Sequence, residues 1–311
     1  MQALSPTLTV LVLATLLVVV AAVALRRHLR GTRKYHGRVL ITGAAHGIGL
    51  ELAKAFYSIG ADLVLWDIDT TGLAIASSGF SANRILASRV DASDPEDVAG
   101  AAALALSRGP VDVVISNAGI VCGADVEALS ATDVQRTFDV NLGASFSLLR
   151  EFLPAMKVRQ QGCVVLVASM MGLLGGARLS AYCASKWGMF GLAESLRLEL
   201  HRDSVRGVHV VTVAPYLVGD TELFRGAFAR VRSIVDVVRS ALFPPLTASA
   251  VAKATVEAVC LQQDAVLVLP WYASAAVWAV RALPLGAADT VVGALGGWHG
   301  METFVGRVRA P

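Results

Sequence analysis

The glycine-rich loop 42–49, Thr-Gly-Ala-Ala-His-Gly-Ile-Gly, constrains the fold more than any other feature of the chain. It directly follows the β-rich run 38–42 and opens a helical pattern that continues to Ser58. In this context the first glycine permits a tight turn, the second lets backbone approach a pyrophosphate, and the third allows close helix–sheet packing. The positive end of the helix then faces the phosphates. The loop therefore predicts a dinucleotide site that includes Thr42, Gly43, His46, Gly47, Ile48 and Gly49.

Six more apolar runs follow, separated by helical stretches, at 62–66, 84–90, 111–116, 163–169, 208–213 and 265–269. Seven strands that alternate with helices imply a parallel, doubly wound sheet of the Rossmann type. The run 164–167 is apolar at every position, as expected for a sheet covered on both faces. We therefore predict an α/β fold with a dinucleotide-binding catalytic domain over 37–270.

Residues 7–25 carry no charge, and five basic residues follow between positions 26 and 34. As a helix the uncharged stretch would span about 28 Å, close to the roughly 30 Å hydrocarbon core of a bilayer. The chain ahead of it has no Lys or Arg. This asymmetry favours a retained transmembrane helix with a cytosol-facing catalytic domain, although a cleaved signal peptide is the alternative. We expect the anchor and its basic flank to occupy 1–36.

Composition excludes several other classes of protein. Only 16% of the residues are charged, against about 25% in ordinary globular domains, which argues against disorder. Outside the basic flank, 22 basic residues (27 minus 5) face 24 acidic ones, so a nucleic-acid partner is not expected. The four cysteines are widely spaced and form no CxxC pair, so we expect reduced thiols and no metal site.

Asp67 ends the second predicted strand, eighteen residues after Gly49. A carboxylate there can accept hydrogen bonds from a ribose and would repel a 2′-phosphate, which favours NAD(H) over the alternative, NADP(H). A helix N-cap is the competing interpretation of Asp67, and more so of Asp69. His46 would support NADP(H) only as a cation, and an exposed turn residue is the simpler interpretation.

Tyr182 and Lys186 lie four residues apart in a helical stretch and hence on one face. An ammonium about 4 Å away could bring a phenol of pKa near 10 to about 7. Ser169 lies at the C-terminal end of a predicted strand, where the ligands of open α/β sheets gather, and its hydroxyl can orient a substrate oxygen. This group predicts hydride exchange with a nicotinamide while Tyr182 takes the hydroxyl proton.

The spacing TGxxxGxG resembles that of the short-chain dehydrogenase/reductases, and later motifs agree with that family in the same order. Over about 37–270, the resemblance implies a catalytic tetrad of Asn141, Ser169, Tyr182 and Lys186, the last two within a YxxxK motif. It implies that Asn141 positions a water and that Lys186 also holds the nicotinamide ribose. It further implies cofactor contacts at Asp91, at Val218 and around the motif Asn117, Ala118 and Gly119.

Three positions depart from the family pattern. Tyr216 replaces a glycine, Thr221 falls one position late, and Ser116 stands where many members have asparagine. The departures leave Val218 as a nicotinamide contact and put Thr221 in doubt.

Apolar residues recur at helical spacing after this stretch, at Phe224, Phe228, Val231, Val235, Val238 and Leu242. Packing against the domain is one interpretation of this face, and contact with a membrane surface is another. The extension 271–311 is again apolar, and we expect it to associate with a membrane or a second copy.

With the anchor, these features resemble the membrane-bound retinol dehydrogenase and 17β-hydroxysteroid dehydrogenase branch. The resemblance implies oxidation or reduction of a lipophilic alcohol or carbonyl, such as a retinoid, a steroid or a long-chain alcohol. In a eukaryote it implies the endoplasmic reticulum or lipid-droplet membrane, and a homodimer formed through the helical stretches 130–159 and 180–202. The alternative is a non-catalytic lipid-surface or scaffold protein that keeps the fold.

Overall fold

The predicted Rossmann-type sheet is present, with all seven strands parallel and in the order 3-2-1-4-5-6-7. The computed structural model describes residues 35–227, 240–241 and 243–306. Strand order reverses between the first and fourth strands, which opens a crevice at the carboxyl ends of the strands. The strands are β1 Arg38–Thr42, β2 Asp62–Asp67, β3 Ile85–Arg89, β4 Val113–Ser116, β5 Gly162–Val167, β6 Val208–Pro215 and β7 Ala265–Leu269.

Helices connect the strands, and local sequence explains where several begin. Asp94 caps one of them by accepting from the backbone N–H groups of Glu96 and Asp97, with Pro95 in the first turn. The helices are α1 Gly47–Ser58, α2 Thr70–Ser77, α3 Pro95–Ser107, α4 Ala131–Phe138, α5 Ala144–Arg159, α6 Ser180–Arg202, α7 Ala248–Cys260, α8 Ala273–Arg281 and α9 Leu285–Val292.

Two boundaries differ from the sequence prediction in ways that matter for function. The fifth strand ends at Val167 rather than 169, because the Ser169 side chain accepts from the Met171 N–H and begins a 3₁₀ turn at Met170–Gly172. The helical stretch predicted over 130–159 contains a π-helical turn at Asp139–Gly143, between α4 and α5. Both irregularities lie at predicted catalytic residues.

The core explains why the strands are apolar at successive positions. Leu40, Val64, Val114 and Val164 belong to one buried cluster with residues of α3, α5 and α6. Their neighbours along the strands, such as Ile41, are buried on the opposite face, where α1 and α7 pack against each other. Helices on both faces leave neither side of the sheet exposed to water.

The predicted anchor, at 7–25, lies outside the described residues. Among the helices that are described, none combines the length and the apolar character needed to cross a membrane. Phe224 lies in a turn rather than in the predicted apolar helix. The other positions of that apolar face, like the anchor, lie outside the described residues. The anchor and that helix stay predictions.

Candidate active site

One cleft at the carboxyl ends of the strands brings together most of the predicted site residues. It has a volume of about 490 Å³, within the usual range for ligand sites, about 300–1,000 Å³. Gly49 and Asn141 are the two predicted site residues that do not line it. Those that do are Thr42, Gly43, His46, Gly47, Ile48, Asp67, Asp91, Asn117, Ala118, Gly119, Ser169, Tyr182, Lys186 and Val218.

The glycine loop has the backbone that the sequence predicts. Gly43 and Gly47 have φ angles of +65° and +51°, in the left-handed region that favours glycine. A Cβ on Gly43 would approach Cα of Ala118 to 3.0 Å, and one on Gly49 would collide with the carbonyl oxygen of Gly43. Side chains at these positions would fill the space between the loop and β4. The loop therefore fits a pyrophosphate at the start of α1, as a dinucleotide requires.

Asn117 fastens this loop to the end of β4. Its Nδ2 atom donates to the carbonyl oxygens of Thr42 at 2.9 Å and Gly43 at 3.3 Å. The Thr42 hydroxyl accepts in return from the backbone N–H groups of Asn117 and Ala118. Ser116, the departure from the family pattern, points elsewhere and bonds to the Ser145 hydroxyl at 2.8 Å. The departure therefore leaves the loop attachment intact.

Asp67 is held rigidly at the end of β2. One carboxylate oxygen accepts from the Ala45 N–H and the other from the Asp69 N–H, both at 2.9 Å. The cap of α2 is Asp69, which accepts from the Gly72 N–H. His46 Nε2 lies 2.7 Å from an Asp69 oxygen. Asp67 thus faces the cleft with a fixed carboxylate, and a positive charge on His46 would be balanced by Asp69.

Asp91 lies farther along the cleft, after β3. One of its carboxylate oxygens accepts from both the backbone N–H and the hydroxyl of Ser93. Its own backbone N–H donates to Asp97 at 2.8 Å. These bonds fix the turn that follows β3 and leave the second Asp91 oxygen available to a ligand in the cleft.

Ser169, Tyr182 and Lys186 meet at the other end of the cleft. The Ser169 hydroxyl and the Tyr182 phenol both line the cleft there, and Ser169 acts to lower the pKa of the phenol. Lys186 Nζ donates to the Val167 carbonyl oxygen at 2.8 Å and lies 5.8 Å from the centroid of the Tyr182 ring. A hydroxyl pair and an ammonium therefore converge where β5 ends.

In this structure burial outweighs the lowering of the Tyr182 pKa that Lys186 was expected to produce. Burial raises the pKa of the Tyr182 phenol well above its ordinary value, and the influence of Ser169 offsets only part of the rise. The Lys186 ammonium is directed at Val167 rather than at the phenol. Burial also lowers the pKa of Lys186 to about 8. The phenol is therefore protonated at neutral pH, ready to donate a proton.

Asn141 lies behind the cleft rather than in it. The side chain is 1% exposed; its oxygen accepts from the Ile120 N–H at 2.8 Å, and its nitrogen donates to the Ile120 carbonyl and the Ser185 hydroxyl at 3.0 Å. A Cβ on Gly119 would lie 3.4 Å from the Asn141 oxygen and 3.6 Å from Lys186 Nζ. Asn141 thus connects the segment after β4 to Ser185 of α6, the residue that precedes Lys186.

Two phenylalanine side chains from distant segments cover Tyr182. The Phe224 ring meets the Tyr182 ring edge-on, with centroids 5.4 Å apart, and Phe304 packs in the same cluster. Residues 301–306 are attached to the Phe224 loop, because the Val305 N–H donates to the Arg225 carbonyl and the Thr303 hydroxyl to the Gly226 carbonyl. The C-terminal residues therefore close the cleft beside the phenol.

Comparison with known sequences agrees with this geometry. The sequence model of the short chain dehydrogenases matches residues 37–231, well over half of the chain. The chain belongs to the short-chain dehydrogenase/reductase family. It is therefore an NAD(P)-dependent alcohol oxidoreductase, and the resemblance found in its motifs is confirmed.

Individual relatives place this dehydrogenase in the retinol and steroid dehydrogenase branch. It is 32% identical over 276 residues to short-chain dehydrogenase/reductase family 16C member 6 of Bos taurus, covering 88% of this chain and 84% of that protein. It is 33% identical over 271 residues to epidermal retinol dehydrogenase 2 of Homo sapiens, covering 86% and 84%. It is 38% identical over 184 residues to estradiol 17-beta-dehydrogenase 11 of Macaca fascicularis, covering 58% and 61%.

Solved structures of the family have the same fold as this dehydrogenase. A Burkholderia phymatum short-chain dehydrogenase/reductase in complex with NAD superimposes with a TM-score of 0.69 at 27% identity, over 84% of this chain and 96% of that one. A metagenomic short-chain oxidoreductase in complex with NADP gives 0.61 at 28% identity, over 76% and 97%. A nicotinamide cofactor is common to both.

Proposed function

We propose that this dehydrogenase interconverts a lipophilic alcohol and its carbonyl compound, such as a retinoid, a steroid or a long-chain alcohol. The observation that carries the proposal is that Ser169 and Tyr182 line the cofactor cleft, which shares Tyr216 with a neighbouring apolar cavity. A hydroxyl pair holds the reacting oxygen, and apolar walls suit the rest of a lipophilic molecule. The names of the retinol and estradiol dehydrogenase relatives support the same substrate class.

The apolar cavity has a volume of about 100 Å³, and none of its lining residues carries a charge. An engineered apolar cavity of about 150 Å³ stays dry and binds benzene, so a cavity of this size suits a hydrocarbon group. Tyr216, which replaces the family glycine, lines both the cavity and the cleft. The other walls come mainly from Met170, Met171, Leu174, Phe243 and Val277.

The side chains at the Tyr182 end of the cleft have different roles in the reaction. The cofactor supplies or accepts hydride at the substrate carbon when it is bound. Ser169 orients the substrate oxygen, and Tyr182 exchanges a proton with it. The Lys186 ammonium offsets the negative charge that Tyr182 gains on donating its proton, and Asn141 holds the backbone around Lys186. Val218, which lines the cleft, would contact the nicotinamide.

Asp67 favours NAD(H) at the other end. Its fixed carboxylate can accept hydrogen bonds from a ribose diol, because each oxygen keeps a second lone pair beside the backbone N–H it accepts. A 2′-phosphate would meet this negative charge. Asp91 and the residues 117–119 complete the adenosine end of the site.

The localisation that we propose is membrane-anchored through residues 7–25, with the catalytic domain in the cytosol, at the endoplasmic reticulum or lipid droplets of a eukaryote. A homodimer through α4, α5 and α6 is part of the proposal. Apolar side chains exposed on α5 and α6 support it: Phe146, Val158, Trp187 and Leu198. An interface of this kind would remove them from water.

A panel of alcohols tests the substrate class. Full-length protein in detergent or vesicles is assayed for NADH formation with retinols, hydroxysteroids, long-chain alkanols and short polar alcohols. We expect the highest kcat/KM among the lipophilic alcohols. Equal or higher values for short polar alcohols would overturn the proposal.

A further inference from the structure

The C-terminal helices expose an unusual number of large apolar side chains. Within residues 271–298, seven such side chains are exposed, with Trp278 at 57% and Leu285 at 83%. The whole of α9 contains no buried residue, although five of its eight residues are Leu, Ala or Val. We call this set the C-terminal apolar surface: Trp271, Tyr272, Trp278, Leu283, Leu285, Leu295 and Trp298. Exposed apolar side chains concentrated in one segment in this way point to an interaction site.

Charge is nearly absent from this surface. Arg281 and Asp289 are the only charged residues between positions 271 and 298. The Arg281 guanidinium is already engaged, since it donates to the Leu173 carbonyl at 2.7 Å and lies 4.5 Å from the centroid of the Trp187 ring. A partner that binds here therefore gains little from charge and much from burial of apolar groups.

The composition and surroundings of the surface favour lipid as that partner. Tryptophan and tyrosine prefer the membrane–water interface, where their rings meet both apolar and polar layers. Ala276 and Leu295 are exposed and also line the apolar cavity, so the cavity opens on this surface. A lipophilic molecule could then pass from a membrane into the cavity without crossing water.

Chain length points the same way. The uncharged stretch ends at Leu25, and the described domain begins at Tyr35. Ten residues span at most about 35 Å, so an inserted stretch keeps the domain close to the bilayer.

A row of aromatic rings runs from the cleft to this surface, with centroids 6.2 Å apart for Tyr216 and Phe243 and 5.8 Å apart for Phe243 and Tyr272.

We infer that the C-terminal apolar surface lies in the interfacial layer of the membrane and that the apolar cavity takes its ligand from there. The inference rests on the membrane anchoring and the lipophilic substrate proposed above. It chooses lipid over a second copy of the chain as the occupant. Because the surface carries almost no charge, contact should form with zwitterionic lipid and should persist at high salt.

Tryptophan quenching by brominated lipid tests the contact. Full-length protein is placed in phosphatidylcholine vesicles with or without bromine on the acyl chains, and co-flotation is scored in the same samples. The segment 1–34 has no tryptophan, and Trp66 is buried in the core, so any quenching reports on the domain surface. We expect bromine-dependent quenching that is lost when Trp271, Trp278 and Trp298 are all replaced by Phe. The matched control, Trp187→Phe, removes an exposed tryptophan of α6 and should keep the quenching.

Each alternative outcome is distinguishable. Flotation without quenching, or quenching that persists in the triple Phe variant, would contradict the lipid contact of the C-terminal apolar surface. Neither result would contradict the membrane anchor. Dimers that the triple variant abolishes, in the absence of quenching, would assign the surface to a second copy and overturn the inference. Failure to float would overturn both the anchor and this inference. Lack of turnover of any alcohol would count against the proposed function alone, because quenching needs no catalysis.

Discussion

Lys186 and Tyr182 lie on one face of α6, with the ammonium nitrogen 5.8 Å from the centroid of the phenol ring. Both side chains are buried, at 3% exposure each, and burial disfavours the charged form of both. The pKa of Tyr182 therefore rises and that of Lys186 falls to about 8. At neutral pH the pair consists of a neutral phenol and an ammonium, which is the state that donates a proton to a carbonyl oxygen.

Carbonyl reduction should lose rate above about pH 8. The pKa of Lys186 is lowered to about 8, so its ammonium is largely present at neutral pH and is lost progressively as the pH rises through 8. Without that charge, the phenolate left by proton donation is unbalanced, and kcat/KM should fall about tenfold per pH unit. Initial rates with NADH from pH 6 to pH 10 measure the profile. A profile that stays flat to pH 10 would contradict this role, and Lys54→Met, at an exposed lysine paired with Glu51, should leave the profile unchanged.

Asp67→Asn should shift cofactor preference from NAD toward NADP. The substitution removes the charge that would repel a 2′-phosphate and one of two acceptors held by backbone N–H groups. Hydrogen bonds to charged groups are worth about 1.5–3 kcal/mol, so the ratio of kcat/KM for NAD over NADP should fall at least about tenfold. Asp62→Asn, at the opposite end of β2, is the matched control. An unchanged ratio in Asp67→Asn would refute the ribose contact.

Asn141→Ala should destabilise the fold as well as slow catalysis. The change leaves the Ile120 N–H and carbonyl without the partner they have now. Ile120 is half-buried, and each of these two hydrogen bonds is worth about 0.5–1.5 kcal/mol, so the free energy of unfolding should fall by about 1–3 kcal/mol. Urea denaturation of the variant measures this. Gln135→Ala, which removes a surface amide bonded to Asp139, should cost under about 0.5 kcal/mol. Equal losses in the two variants would argue against a structural role for the bonds between Asn141 and Ile120.

A larger side chain at the mouth of the apolar cavity should reduce the dependence of kcat/KM on substrate chain length. Ala276 and Ala275 are neighbouring exposed residues of α8, and only Ala276 lines the cavity. Each buried methylene raises kcat/KM by roughly fourfold. The ratio of kcat/KM for decanol to kcat/KM for butanol should therefore drop in Ala276→Phe. It should stay at the wild-type value in Ala275→Phe. The same ratio in all three proteins would show that the cavity does not hold the substrate chain.

Local sequence was sufficient to predict the scaffold of the site. The glycine loop requires positive φ at Gly43 and Gly47, and apolar runs require a sheet covered on both faces, so these features appear in the sequence itself. The strand ending was less predictable, because Ser169 continues an apolar run but uses its hydroxyl to begin a turn.

Long-range contacts account for what the sequence could not predict. Phe224 and Phe304 cover Tyr182 from segments far apart in the chain, and no periodic pattern links them. The pKa of Tyr182 depends on that cover, so spacing alone suggested a direction that burial reverses. Asn141 shows a similar limit, because its family motif does not reveal that the amide is bonded to Ile120.

Single-turnover hydride transfer in Tyr182→Phe tests the proposed chemistry most directly. The variant keeps the ring that packs against Phe224 and removes the proton that Tyr182 exchanges. We predict NADH binding equal to wild type and carbonyl reduction slowed at least about 100-fold, whereas Tyr57→Phe, remote from the cleft, reacts at the wild-type rate. Wild-type hydride transfer in Tyr182→Phe would contradict the assignment of Tyr182 as the proton donor.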